Sequence, residues 1–396
     1  MTRFVPPDRL AGLEADLAAI RRDIHRHPET AFEEVRTAGI VADRLRSWGL
    51  AVHGGIATTG VVGTLRGRRA GGGRSIGLRA DMDALHLQEK NGFAHASVHD
   101  HKMHACGHDG HTAMLLGAAR HLAANPDFAG TVHFIFQPAE EDLGGARAMI
   151  DQGLFERFPL DAIYGMHNMP GYRSGTFAIR PGAMMAAVDT WQVEFAGTGG
   201  HGAMPDRGTD PTYVAGQFIA ALQGIVGRTV PSSEAAVLSV GHVAAGSAGS
   251  PNVIPAQVLL RGTARSFSAA VRDLLERRLA EIATALAASG GCTAACTWSR
   301  GDPALVNAET QTALAIEAAT RTVGPANVVG DAPPFGGAED FAVMLAERPG
   351  AYILIGNGDP DEGACHDIHS PHYDFNDRIL TTGAAYWVNL VQVELG

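Results

Sequence analysis

The stretch Val132-His133-Phe134-Ile135-Phe136-Gln137-Pro138-Ala139-Glu140-Glu141 decides the fold. A short, nearly continuous apolar run with a proline just beyond it is the mark of a buried strand. Two adjacent acids follow, and carboxylates beside a buried strand are costly unless a cation or a proton compensates them. Runs of the same kind occur at residues 61–65, 75–80, 162–166 and 352–355, with helical stretches such as 112–124 and 338–345 between them. Near the start, Leu10, Leu13, Leu17 and Ile20 recur at a helical period within residues 8–26. That helix ends near His27-Pro28, because proline disfavours helix in the residue before it. Strands alternating with helices predict βαβ units, and so an α/β fold with a mainly parallel sheet.

The middle of the chain has another order. Residues 190–196 alternate as a strand, 211–226 have helical length and period, 235–243 and 257–264 read as strands, and 293–298 close the set. An amphipathic helix covers 268–288, with Ser268 as N-cap and Leu274, Leu275, Leu279, Ile282 and Leu286 along one side. The order β-α-β-β-α-β is the split-βαβ, ferredoxin-like pattern. It predicts an α+β domain at residues 185–297, inserted into a discontinuous catalytic domain of residues 1–184 and 298–396. Two domains also suit a chain of 396 residues, which is long for one core.

A formal charge of −11 argues against a nucleic-acid partner, which needs clustered Lys and Arg to displace counterions. No apolar stretch is long enough to span a membrane, and the opening Met1-Thr2-Arg3-Phe4-Val5-Pro6-Pro7 lacks the apolar core of a signal peptide. A cytoplasmic location without a membrane partner is the expectation. The 4 cysteines, Cys106, Cys292, Cys296 and Cys365, do not read as a disulfide framework. The unusual feature is the 18 histidines, several of them near other metal-capable side chains.

Ligands of an open α/β sheet gather beyond the carboxyl ends of its strands. Residues 75–80 run into Asp81-Met82-Asp83, 132–136 into Glu140-Glu141, and 162–166 into His167. The strand at 352–355 is followed by a loop ending in His366-Asp367-Ile368-His369, and His104-Ala105-Cys106-Gly107-His108-Asp109-Gly110-His111 precedes the helix at 112. A structural role rarely needs so many separate edges supplying metal-capable side chains. Isolated histidines such as His121 and His242 read as ordinary core or surface residues. Cys106-x-His108, on a glycine-containing loop before a helix, reads as a metal pair. Adjacent residues on extended backbone point to opposite sides, so one of Glu140 and Glu141 is expected to bind metal while the other faces the reacting water. Imidazole, thiolate and carboxylate together suit Mn²⁺, Zn²⁺, Co²⁺ or Ni²⁺ better than Ca²⁺ or Mg²⁺.

Nine motifs follow one another from about residue 25 to residue 378. They are His27-Pro28-Glu29, Arg79-Ala80-Asp81-Met82-Asp83-Ala84-Leu85, Cys106-Gly107-His108-Asp109-Gly110-His111, Gln137-Pro138-Ala139-Glu140-Glu141, Gly200-His201-Gly202-Ala203, Asn252-Val253-Ile254-Pro255, Gly262-Thr263-Ala264-Arg265, Ala338-Glu339-Asp340-Phe341 and His369-Ser370-Pro371. In that order they resemble the hippurate hydrolase branch of the aminoacylase-type dinuclear metallopeptidases. That branch includes N-acetyl-amino-acid deacetylases and plant hydrolases of indole-acetyl amino acids.

The resemblance implies metal-dependent hydrolysis of the amide bond of N-acyl amino acids, by a homodimer with two divalent ions per subunit. Cys106, His108, Glu141, His167 and His369 would be the ligands, and Glu140 the catalytic acid/base. His201 would come from the inserted lid and dimerisation domain of a partner subunit and help polarise the scissile carbonyl, with Asn252 in the same substrate-facing region. His366 and His372 take no role from the pattern. His86 stands where the family usually has proline after Ala-Leu, a departure that bears on acyl-group specificity more than on the reaction.

Asp81 and Asp83 either orient the ligands from behind or cap the turn after their strand. One rival reading is a dipeptidase of the same fold, which pocket shape decides. Another is a non-catalytic protein binding metal or an amino acid; Glu140 speaks against it, since structural sites are usually closed by four ligands. A cysteine nucleophile is disfavoured, because the ligands around Cys106 suit a metal-bound thiolate.

Overall fold

The computed structural model describes residues 4–71, 73–141, 144–363 and 366–396; Cys365 lies outside them. The chain divides into two compact units. The first comprises Met1–Gly182, Val306–Pro333 and Asp340–Gly396, the second Ala183–Leu305 and Pro334–Glu339.

In the first unit, the apolar run at 132–136 lies in the strand Thr131–Gln137, buried from Val132 onward. It lies in an 8-stranded sheet of order Ala51–Ile56, Gly60–Arg66, Thr131–Gln137, Ser75–Asp81, Ala162–Pro170, Gly350–Gly358, Phe177–Ala178 and Val328–Val329. The centre is parallel. Thr131–Gln137 runs parallel to Ser75–Asp81, that strand to Ala162–Pro170, and the latter to Gly350–Gly358. An antiparallel hairpin, Ala51–Ile56 with Gly60–Arg66, extends one side. The fold is therefore mixed α/β with a mainly parallel sheet, as the alternation of elements implied.

The helices Val35–Ser47, Glu309–Val323 and Leu380–Leu395 had no counterpart in the sequence reading. The last is buried on nearly every side, and an apolar face that wraps the whole helix erases the 3.6-residue period.

The second unit carries an antiparallel sheet of order Ala236–Ala245, Gln257–Ser266, Ala187–Ala196 and Thr293–Arg300. Its core joins strand residues Trp191, Val193 and Phe195 to Phe218, Leu275 and Leu279 of the helices Pro211–Thr229 and Ala269–Ser289. Both helices start at a side-chain cap. Asp210 accepts from the Thr212 and Tyr213 amides just ahead of Pro211, and Ser268 accepts from the Val271 amide. Pro334–Glu339 also belongs to this unit, although it lies well beyond residue 297. The Phe335 amide donates to the Met184 carbonyl at 2.8 Å, and the Ala186 amide to the Gly337 carbonyl at 3.0 Å. Backbone bonds of this kind leave no period in the sequence.

Candidate metal centre

Asp81 ends its strand, and Asp83 follows two residues on. Gln137 ends the neighbouring strand, after which Ala139 adopts a left-handed φ of 53°. Glu140 and Glu141 therefore lie on a turn and not on extended backbone, which corrects the expectation that they face opposite sides. One carboxylate oxygen of each converges on a His108 ring nitrogen, all within 4.8 Å of one another. His167 differs too: it lies inside its strand, which continues past Met166 to Pro170.

Cys106 and His108 flank Gly107, whose φ of 94° favours glycine. A Cβ there would fall 2.2 Å from Asn168 Nδ2 and 2.5 Å from Tyr373 Oη. The helix then starts at His108 instead of at residue 112. Cys106 Sγ is 3.2 Å from His167 Nε2, His108 Nε2 is 3.9 Å from Glu141 Oε1, and His369 Nε2 is 3.5 Å from Glu141 Oε2. Cys106 groups both with His108 and His167 and with Glu141 and His369.

The buried imidazoles of His108 and His167 are each held through Nδ1. His108 Nδ1 is 3.1 Å from Asp83 Oδ1, and His167 Nδ1 is 2.5 Å from the Asn168 carbonyl. A proton on each Nδ1 leaves the Nε2 lone pair available to a metal. His108 Nε2 and Glu141 Oε1 are buried without a hydrogen-bond partner among the described residues. Buried polar atoms in that state are rare and costly, and a divalent cation between them would satisfy both. The donor set of thiol, imidazole and carboxylate suits the same ions. The residues fit a metal.

The electrostatics agree. Burial opposes charge on His108, yet Asp81, Asp83 and Glu141 raise its pKa to about 10. Burial, then Glu141, Glu140 and Asp81, push the Cys106 thiol well above its usual value. Positive charge is wanted where these side chains meet. Burial by itself would raise the Asp81 pKa, but His108, His111 and Arg79 hold it well below the usual carboxylate range.

Asp83 touches ligand candidates on both sides, since its Oδ2 accepts from the Glu141 amide at 3.0 Å. Asp81 accepts from His111 Nδ1 at 2.6 Å and from Arg79 at 2.7 Å. His111 accepts on Nε2 from the Asn168 amide at 2.9 Å, so both its nitrogens are occupied and it is a strut. Asn168 donates to the Cys106 carbonyl at 2.6 Å and accepts from the Tyr373 hydroxyl at 2.7 Å. The sequence reading assigned nothing to Asn168 or Tyr373. The former's one signal is its place beside His167, and the latter has none. Asp340 accepts from Gln137 at 2.7 Å, Arg79 at 3.1 Å and the Ala146 amide at 2.9 Å. The exposed His366 and His372 rings, 5.4 Å apart, line a polar cavity of about 440 Å³ with Asn91, Asp374 and Asn376. His86 is exposed.

His201 and Asn252 belong to the second unit. Gly200–His201 pairs antiparallel with Val253–Ile254, and the Gly202 amide donates to the Asn252 carbonyl at 2.8 Å. The pairing makes the two residues neighbours on an exposed ribbon.

A mainly parallel sheet that gathers a thiol, imidazoles and paired carboxylates at its carboxyl edge defines a mixed α/β hydrolase with a metal-capable centre. The chain belongs to the peptidase family M20/M25/M40, whose sequence profile matches residues 77–393. It is 38% identical over 378 residues to hippurate hydrolase of Campylobacter jejuni, covering 96% of each chain. It is 39% identical over 376 residues to an N-acetyl-L-cysteine deacetylase of Bacillus subtilis, covering 94% of this chain and 87% of that one. A solved Bacillus subtilis structure, described as a dinuclear metal binding peptidase of the M20 family, matches with a TM-score of 0.85 at 33% identity, covering 97% of this chain and 99% of the other. Among the described residues, no helix is long and apolar enough to cross a membrane.

Proposed function

We propose that this hydrolase splits the amide bond of N-acyl amino acids into a carboxylic acid and a free amino acid, with Glu140 as general base. The observation that carries the reading is the extra acid: Glu140 is buried beside Glu141 and His108. A site that only held ions would gain little from a further buried carboxylate, whereas a hydrolase needs a proton acceptor beside the attacking water. The two relatives are named for removing an acyl group from an amino acid, which supports the substrate class.

Cys106, His108, Glu141, His167 and His369 would hold two divalent ions, and Cys106 belongs to both groups of candidate ligands. Ions bound there would supply Lewis acidity, lowering the pKa of water towards about 7 and polarising the scissile carbonyl. The protein's own residues do the rest. Glu140 takes a proton from the attacking water and returns it to the departing amine. Asp83 keeps the His108 ring turned and the Glu141 backbone in place, and Asp81 steadies the His111 strut. In a cytoplasmic homodimer, His201 of the partner subunit would stabilise the developing oxyanion, with Asn252 beside it facing the substrate. The exposure of both residues supports that assignment.

The test is amine release from a panel of N-acyl amino acids, hippurate and dipeptides included. Chelator-stripped protein is compared with protein refilled with Mn²⁺, Zn²⁺, Co²⁺ or Ni²⁺. Cleavage of acyl amino acids that vanishes with the metal and returns on refilling is expected. A preference for dipeptides would move the enzyme to the dipeptidases, and no turnover on any member would favour a binding protein.

A further inference from the structure

Glu34 lies far from Glu140 in sequence, yet its buried carboxylate grips the turn that carries Glu140. Oε1 accepts from the Ala139 amide at 2.9 Å and the Phe32 amide at 3.0 Å, and Oε2 accepts from the Thr59 hydroxyl at 2.5 Å. All these donors are neutral. A buried carboxylate that relies on neutral donors is costly to keep, so its position calls for a reason.

The backbone supplies one. Ala139, which immediately precedes Glu140, has a left-handed φ of 53°, a conformation that residues with a Cβ seldom adopt. The other segments bonded to Glu34 are strained in the same sense, at Phe32 with φ 61° and at Ala57 and Thr58, next to Thr59, with φ 49° and 72°. Such strain persists only where the surroundings over-determine it, and it clusters at functional sites. The Ala139 carbonyl is held as well, by the Gly145 amide at 3.0 Å. Glu141 has its own clamp in Asp83, which accepts its amide at 3.0 Å. Loosening the Ala139 amide therefore disturbs Glu140 more than the ligand beside it.

We infer that Glu34 is a positioning residue for the general base: its hydrogen bond to the Ala139 amide fixes the left-handed turn that aims Glu140. The inference rests on the role proposed for Glu140 above.

The test compares wild type, Glu34→Ala, Glu34→Gln and Glu140→Gln, each loaded with Mn²⁺ and checked for metal content by mass spectrometry. Glu34→Ala is expected to keep its metal and lose about 10- to 100-fold in kcat, with KM within about twofold of wild type. Glu34→Gln retains an amide oxygen that can accept from both backbone N–H groups, so it should keep most of the rate. Hydrogen–deuterium exchange around Ala139, which needs no substrate, should speed about tenfold or more in Glu34→Ala and stay slow in Glu34→Gln.

Wild-type kcat and protection in Glu34→Ala overturn the proposal, and so does a rate loss that merely tracks lost metal. An active Glu140→Gln removes the general-base role instead, while the exchange data still decide whether Glu34 holds the turn. If Glu34→Ala does not fold, Glu34→Asp withdraws the carboxylate by one methylene at constant charge. A loss of about threefold to tenfold in kcat is then expected, and an unchanged kcat overturns the role.

Discussion

The metal-capable cluster of the first unit and the His201–Asn252 ribbon of the second sit in opposite physical settings. Asp81, Asp83, His108 and His167 are buried, and partners within the chain fix their geometry. The atoms left over, His108 Nε2 and Glu141 Oε1, are those a cation would take. On the ribbon, His201 and Asn252 are exposed, and the hydrogen bonds there are made by backbone amides. A buried polar site must be satisfied internally or by a bound ion, whereas an exposed one is free to act on something outside its own chain. Damage to the candidate ligands of the cluster, or to the groups that hold them, should therefore appear in metal content as well as in turnover, and damage to the ribbon in turnover alone.

The largest effect that would sharpen this contrast is His201→Ala. It is expected to lower kcat by about 10²- to 10³-fold, the usual cost of one oxyanion donor, with metal content and melting temperature unchanged. Mixing His201→Ala with Glu140→Gln subunits should restore up to about a quarter of wild-type activity if the histidine acts across a two-fold interface. Two inactive variants that stay inactive together would mean that it acts within its own chain or not at all.

Asp83→Asn comes next. It leaves the shape but weakens the hold on His108 and on the Glu141 amide, so metal affinity should fall about 10- to 100-fold while excess metal recovers the rate. A titration that leaves affinity unchanged would place Asp83 in turn-capping alone. Asn252→Ala should be the mildest, raising KM by about two- to fivefold with little change in kcat, as loss of uniform substrate binding does. A collapse of kcat with unchanged KM would instead give Asn252 a part in the chemistry.

Much of this was legible in residue order. Asp81, Asp83, Glu140 and Glu141 announce themselves as acids after apolar strands, and the β-α-β-β-α-β run of the second unit carries period and caps. What stayed hidden depends on partners distant along the chain. The convergence of Glu140 and Glu141 comes from a left-handed Ala139, a conformation that local propensity argues against for alanine. Tyr373 reaches the Cys106 loop through Asn168, and the Asp340 carboxylate ties together Gln137, Arg79 and Ala146. Pro334–Glu339 joins the second unit by backbone hydrogen bonds, which leave no side-chain pattern.

The central claim is that Glu140 is the proton acceptor of a metal-dependent amide hydrolysis and not one more ligand. Its most direct test is Glu140→Gln, measured for metal content by mass spectrometry and for amine release on the best substrate of the panel. Wild-type metal occupancy with kcat reduced by about 10²- to 10⁴-fold is the result expected here. A fully loaded variant that turns over within about tenfold of wild type would contradict the assignment.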